Sequence, residues 1–380
     1  MQLEPLSDRI NDLDGELVRL FKKRMQLCEK VAETKRELGL PAADTGGERQ
    51  KLSDVRRLAG EDLASYTGVL FSTILDLSYA YQQGLYKEPS PLREAIAKAL
   101  EETQKLFPES ALVACQGVEG ANSQLAAEKL FSHPDIVYFN NFEGVFSAID
   151  KGFCTYGVLP LENSTAGSVN AIYDLMMKYR FSIVRSARLK VDHNLLAKPG
   201  AKSENIREIC SHEQAISQCA EFLKDFDGVK ITMCENTAAA AKLVAGSGRD
   251  DIAALSSRSC ADLYGLECLA NSVQDQSNNY TRFICISKNL EIYPGADRTS
   301  IMLTVPHRPG SLYRIMARIN ALDINLSKLE SRPIPERDFE FMFYFDLDTP
   351  VYSPRFIELI GELDSLCESF RYLGSYSEIV

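Results

Sequence analysis

Where the sequence reads N-N-Y-T-R-F, residues 278 to 283, and runs on into I-C-I, a hydroxyl and a guanidinium stand at the mouth of a strand-like segment. Alternation along a strand turns Thr281 and Phe283 to one face and Arg282 to the other. The threonine therefore shares a face with a residue bound for the interior, and a buried hydroxyl needs a partner or a task.

Five further turns carry polar groups in a repeated setting: C-Q-G-V-E-G-A-N-S, L-E-N-S-T-A-G-S-V, C-S-H-E-Q, C-E-N-T-A and L-S-S-R-S each put Ser, Thr or Asn where an apolar strand hands over to a helix. One such residue is a helix cap. Five of them at the carboxyl ends of strands mark the crevice of an open α/β sheet, where helix N-termini offer free N–H groups to an anion. The reading is a cleft for a small carboxylate. G-V-E-G is neither a Walker loop nor a dinucleotide fingerprint, and G-x-S-x-G is absent. His212, directly after Ser211, reads as a structural histidine.

Ahead of this region lies a different pattern. Ile10, Leu13, Leu17, Leu20, Leu27, Val31 and Leu38 fall on one helical face. Arg24 interrupts that stripe, and Lys35 projects from nearly the same side three turns later. A second helical segment places Ser78 and Gln82 four apart beside Ile74 and Leu75. The cations either snorkel to water or join the polar groups of the second helix in a site inside a bundle. Residues 84 to 110 hold a Pro-Ser-Pro break, one charged amphipathic helix and another proline, which is a connector. From Thr299 the order is β-α-β-β-α-β, ferredoxin-like.

These elements require several domains, since 380 residues exceed one ordinary core. A net charge of −11 argues against general nucleic-acid binding. No apolar run approaches a membrane span, and no basic-then-apolar leader opens the sequence, so the expected compartment is the cytoplasm. Ten cysteines without a C-x-x-C pair and four scattered histidines give no zinc spacing, so no metal or cofactor is expected.

The helical region, residues 1 to 87, resembles the all-helical chorismate mutases, short chains that form intertwined dimers. The resemblance implies that Arg24, Lys35, Asp44, Glu48, Ser78 and Gln82 hold a dicarboxylate, with Lys35 and Gln82 as donors to the ether oxygen of chorismate during its rearrangement to prephenate. Two positions depart from the family: Ser7 and Gly47 stand where it has arginines, with Arg9 and Arg49 two residues away. The domain is thus either a working mutase or a dimerisation remnant. After a linker at 88–109, residues 110–292 resemble prephenate dehydratases through L-E-N-S-T-A-G-S-V, H-N-L-L, C-S-H-E-Q-A-I-S-Q-C, E-N-T-A-A-A and N-Y-T-R-F. That family has two α/β lobes like those of periplasmic binding proteins. The resemblance implies Thr281 as general acid, Arg282 as a carboxylate or structural partner, and Glu162, Asn163, Ser164, Ser211, Gln218, Asn236 and Thr237 as the cleft lining. C-Q-G-V-E-G-A-N-S is closer to plant arogenate dehydratases, which leaves prephenate and arogenate both open.

Residues 297–380 resemble the ACT domains of these dehydratases, which bind phenylalanine between subunits. Pro309, Gly310, Ser311, Leu312, Glu330, Ser331, Arg332 and Pro333 match their motifs, with an N–H after Gly310 as the expected carboxylate donor. Together the resemblances imply a fused mutase and dehydratase of phenylalanine synthesis, at least dimeric and feedback-inhibited by phenylalanine. The rival from another class is a non-catalytic amino-acid sensor on the same lobed fold.

Overall fold

The computed structural model describes residues 4–39, 45–85, 91–334 and 340–380. The chain divides into two compact units. The first joins Met1–Glu94 with Val305–Asp323 and Ile357–Ser369; the second holds Ala95–Thr304, Ile324–Phe356 and Phe370–Val380. The ferredoxin-like segment therefore contributes its helices to one unit and its strands to the other.

In the first unit the three-four apolar spacing becomes the helix Glu4–Glu37, followed by Thr45–Leu85, which is kinked at Gly60 where φ is 72°. A left-handed φ inside a helix suits glycine, which has no Cβ to clash. The apolar stripe is largely in water: Leu13 is 60% and Leu17 59% exposed. Among the described residues of these two helices, Ala32 is the one buried hydrophobic side chain and Ser78 a buried polar one. The helix Ser311–Ala321 and, from Ile357 onward, the helix Pro354–Leu366 belong to the same unit, and Arg314 pairs with Asp76 at 3.2 Å.

The second unit contains two α/β lobes. The sheet of the first runs in the order Glu378–Ile379, Ser182–Lys190, Tyr280–Ser287, Tyr156–Asn163, Ser110–Gln116, His133–Phe139. Its central strand, Tyr280–Ser287, is antiparallel to both neighbours, while Ser110–Gln116 pairs in parallel on both sides. The second lobe orders Glu267–Ala270, Asn194–Ala197, Ile252–Ser256, Glu208–Ser211 and Lys230–Met233. The chain crosses between lobes at residues 191–193 and returns at 271–279.

A third sheet orders Asn325–Pro333, Phe341–Asp348, Arg298–Thr304 and Ser369–Tyr376, the ferredoxin-like arrangement expected from the element order. Its Met302, Met342, Tyr344 and Leu373 share one core with Leu159, Leu161, Ile284 and Ile286 of the first lobe. Phe283 and Cys285 face the opposite core with Ala126 and Leu130 of the helix Asn122–Leu130. Period-two alternation thus splits the Tyr280–Ser287 strand as its sequence indicates. After Tyr376 the chain adds the short strand Glu378–Ile379 to the first-lobe sheet, an element too brief to leave a sequence signal.

The two sheets meet closely at Gly374, whose φ is 139° and where an added Cβ would lie 2.2 Å from the Ile183 carbonyl oxygen. Backbone on both sides leaves no flexible side chain to yield. Gly374→Ala is expected to destabilise the second unit by roughly 1–3 kcal/mol, read as a lower urea midpoint; an unchanged midpoint would show that the sheets separate at no cost.

Candidate functional site

Thr281 is 8% exposed and is the second residue of the strand Tyr280–Ser287, opposite Asn163 at the end of Tyr156–Asn163. Asn163 Nδ2 donates to Thr281 Oγ1 at 2.9 Å and to Asn279 Oδ1 at 2.8 Å. The Asn163 amide cannot flip without loss, because its Oδ1 accepts from the N–H groups of Thr165 and Ala166 at 3.1 and 2.9 Å and from Thr165 Oγ1 at 2.7 Å. Thr281 Oγ1 is consequently an acceptor toward Asn163, and its own proton is left to donate elsewhere.

The second lobe supplies Gln218, the last residue of the helix Glu213–Gln218. Its Nε2 donates to Thr165 Oγ1 at 2.5 Å and reaches Asn163 Oδ1 at 3.4 Å. Its Oε1 accepts from Asn279 Nδ2 at 2.9 Å and stands 2.9 Å from His193 Nε2. Amides so interlocked, Asn163 and Asn279 buried and Gln218 half-buried, gain rigidity from mutual polarisation. Beside them opens a cavity of about 490 Å³ whose lining includes Thr165, His212, Ser217, Gln218, Gln274 and Asn279.

Of the residues expected in the cleft, Thr281, Asn163 and Gln218 come together. Ser164 is near, its hydroxyl donating to Asn278 O at 2.8 Å and accepting from Tyr280 N at 2.9 Å. Ser211 does not line the cleft: it is fully buried and donates to Leu255 O at 2.7 Å. Asn236 caps the helix Thr237–Gly246 through Ala239 N at 2.8 Å, and Thr237 is that helix's first residue. Asn236 thus serves the helix-cap role that such residues fill by default. Asn279, Thr165 and His193 were not singled out in the sequence, although N-N-Y-T-R-F, L-E-N-S-T and H-N-L-L contain or adjoin them.

Glu162 and Arg282 also leave the cleft, and for one reason. Each follows or precedes a cleft residue by one position, so the pleat turns it to the other face. There Arg282, 5% exposed, has Nε 2.8 Å from Glu162 Oε1 and pairs through Nη2 with Asp346 of the third sheet. Burial would favour losing the guanidinium proton, but Asp346 and Glu162 reverse this and hold its pKa well above the usual value. Glu162 also pairs with Lys328, Ser168 bonds Glu330 Oε2, and Arg332 meets Asp174 through two bonds of 3.1 and 2.9 Å. Lys328, Glu330 and Arg332 alternate along Asn325–Pro333 with the more exposed Leu329, Ser331 and Pro333. The expected effector residues Glu330 and Arg332 are therefore committed within the chain. Likewise the N–H of Ser311, next after the left-handed Gly310, turns back to Arg308 O at 3.2 Å instead of pointing to an incoming carboxylate. Pro309 and Gly310 are exposed, Leu312 half-buried.

In the helical unit, Arg24 Nη1 bonds Ser78 Oγ and lies 3.4 Å from Ile74 O, so these two polar residues do meet across the helices. Lys35, Glu48 and Gln82 are half-buried; Ser7 and Gly47 are exposed; Asp44 lies outside the described residues. Asp76 was not foreseen: burial raises its pKa, Arg314 opposes the rise, and Glu48 adds to it. No group of three or more His, Cys, Asp or Glu that could hold a metal stands among the described residues, and no described helix is long and apolar enough to cross a membrane.

With this geometry in hand, residues 113–291 match the family model "Prephenate dehydratase" and residues 6–83 match "Chorismate mutase type II". A bifunctional chorismate mutase/prephenate dehydratase of Enterobacter agglomerans is 31% identical, covering 98% of this chain and 95% of its own. The chain belongs to the bifunctional chorismate mutase/prephenate dehydratase family. An arogenate dehydratase/prephenate dehydratase of Arabidopsis thaliana is 36% identical over 70% of this chain and 71% of its own length. Among solved structures, a prephenate dehydratase from Arthrobacter aurescens in complex with L-Phe aligns with TM-score 0.64 and 26% identity, covering 70% of this chain and 89% of that one. A protein described as a novel type of quorum quenching acylase, GqqA, aligns with TM-score 0.62 and 30% identity over 70% and 96% of the two chains. The amide cluster, the cavity and the Arg282 pair all fall in or beside the dehydratase segment.

Removing one partner of a buried ion pair strands the other. Arg282→Met in this dehydratase is expected to cost about 3–5 kcal/mol, while Arg282→Met with Asp346→Leu recovers part of that loss. Urea melts of the three proteins read it; equal stability of the single and double variants would remove the pair from the fold's support.

Proposed function

We propose that the dehydratase segment converts prephenate to phenylpyruvate with Thr281 as the acid, that the helical segment carries chorismate to prephenate, and that phenylalanine restrains the first reaction. The observation that carries the reading is the hydrogen bond from Asn163 to Thr281. Prephenate loses its ring hydroxyl and ring carboxylate together: the C–C bond to the carboxylate breaks, its electrons enter the ring, and carbon dioxide leaves. The C–O bond breaks as its oxygen takes a proton and departs as water. Aromatisation drives both, so the protein supplies a placed donor at the departing oxygen, and no nucleophile is called for. A hydroxyl that already accepts a hydrogen bond is polarised into a better donor.

For the helical segment the roles fall to Arg24, Lys35, Glu48, Ser78 and Gln82, with Asp44. The exposed stripe of Leu13, Leu17 and their neighbours supports a second copy of the chain as its cover. With Ser7 and Gly47 in place of arginines, the hold on a carboxylate is weakened, each lost contact costing about 2–5 kcal/mol. The third sheet and its two helices fit an ACT domain, and the L-Phe complex of the Arthrobacter relative supports phenylalanine as effector. Arg332–Asp174 and Arg282–Asp346 offer a physical route from that sheet to a helix and a strand of the dehydratase segment. Ten cysteines, all free, suit the reducing cytoplasm.

Purified protein given prephenate, chorismate or arogenate alone, with phenylpyruvate read from the first two and phenylalanine from arogenate, is expected to turn over prephenate fastest and chorismate more slowly. Product from prephenate only would make the helices a dimerisation scaffold, and faster turnover of arogenate would reassign the substrate. Thr281→Ala is expected to lower kcat by roughly 100-fold or more with KM little changed; kinetics like those of the unaltered chain would remove the threonine from the chemistry. Asp174→Asn is expected to keep prephenate turnover while several-fold more phenylalanine is needed for half-inhibition, and an unshifted inhibition curve would deny the route through Arg332.

A further inference from the structure

The circle of amides around Thr281 depends on which way each amide faces, and the structure anchors it at two places. One is Asn163 Oδ1, held by the Thr165 and Ala166 N–H groups. The other is Gln218 Oε1, where Asn279 Nδ2 and His193 Nε2 converge, each at 2.9 Å. Asn279 is no independent anchor, because its orientation rests on Asn163 and Gln218 themselves. His193 is fixed from outside the circle. It sits in the segment that crosses from the first lobe to the second. Its N–H donates to Gln274 Oε1 at 2.9 Å, its carbonyl accepts from Val273 N at 2.8 Å, and Gln274 Nε2 is tied to Asp192 Oδ1 at 2.7 Å.

The polarity of the circle determines the imidazole tautomer. Thr165 Oγ1 donates to Asn163 Oδ1, so it receives its bond from Gln218 Nε2, and the atom Gln218 turns toward His193 is the oxygen. His193 Nε2 must then carry a hydrogen. The ring is 4% exposed, and burial holds its pKa below the ordinary histidine value, with the Gln218 bond and Asp192 opposing.

We propose that His193 is a positioning residue of the dehydratase reaction, whose Nε2–H orients the Gln218 amide and, through Asn279, Thr165 and Asn163, keeps the Asn163 N–H on Thr281 Oγ1. This rests on Thr281 as the acid. Without the histidine donor, Gln218 Oε1 keeps a single partner, and an amide flip would turn its carbonyl toward the oxygens of Thr165 and Asn163. Thr165 and Asn163 would then have to re-sort their own bonds, and Thr281 would lose the fixed donor that leaves its proton free for the substrate.

The test uses the full chain with prephenate. His193→Met removes the donor at similar volume, His193→Gln retains an N–H donor, and each is made alone and in a Gln218→Ala background, with thermal melts to confirm folding. His193→Met is expected to lower kcat roughly 10- to 100-fold with KM within about twofold, and His193→Gln to stay within about threefold of the unaltered chain. In the Gln218→Ala background, His193→Met is expected to add less than about a twofold further loss, since residues acting through one another are not additive. Equal losses in both backgrounds, or a loss carried by KM, would overturn the proposal. If the methionine variant does not fold, the glutamine variant decides: turnover near that of the unaltered chain upholds the proposal, and a loss as large as that of Gln218→Ala overturns it. A chain that turns over prephenate normally after Thr281→Ala fails at the prior reading, whatever His193 does.

Discussion

A guanidinium with 5% of its surface exposed must find its counter-charges inside the protein, and Arg282 finds them in two different sheets. Glu162 comes from the neighbouring strand of the first lobe, Asp346 from the third sheet. Asp346 is itself fully buried and accepts from Ser300 Oγ at 2.5 Å. Such an arrangement costs desolvation on every side, and it persists only where geometry is held firmly. What it obtains is register. One residue along the same strand, Thr281 meets Asn163, so any slip that broke the ion pair would also carry the threonine to the wrong face.

That coupling of two faces explains which parts of the site could be read from sequence. Thr281, Phe283 and Arg282 separate by the two-residue period alone, and the two hydrophobic cores they enter confirm the split. The same period separates Glu162 from the cleft lining, since it is adjacent to Asn163 on the strand. Asp346 could not have been found, because nothing local in F-Y-F-D-L names a partner in another sheet. Ser211 and Asn236 show the limit of polar residues at strand ends: one hydroxyl is turned under a neighbouring strand, the other side chain caps its own helix. His193 and Asn279 lay in motifs already visible, but an amide or an imidazole acquires a direction only from its neighbours, and those neighbours are set by the closing of two lobes.

The helical unit presents the opposite situation, a pattern legible throughout with its consequence left open by one chain. Helices of 34 and 41 residues present many apolar side chains, yet among the described residues Ala32 alone of them is buried. Burial of an amphipathic face, more than intrinsic propensity, is what stabilises such helices. Two helices without that burial need a cover, and the Arg24–Ser78 bond fixes how they meet before it arrives. Arg24 is thereby held by the protein's own hydroxyl and carbonyl groups.

The dehydratase cleft follows a different economy from a nucleophilic site. A reaction driven by aromatisation needs little covalent help, so its rate depends on how well the donor at the leaving oxygen is placed before the substrate arrives. Side-chain amides suit that task because they are neutral at every working pH and present a donor and an acceptor in a fixed plane. A cationic group at the same place would hold the departing carboxylate and slow its loss. The cluster around Thr281 meets this requirement with uncharged side chains, Asn163, Asn279, Gln218 and Thr165, and with a histidine whose pKa burial lowers. The ionic groups of the same strands are turned, by the same pleat, to the other side of the sheet, where they bind the third sheet instead of the substrate.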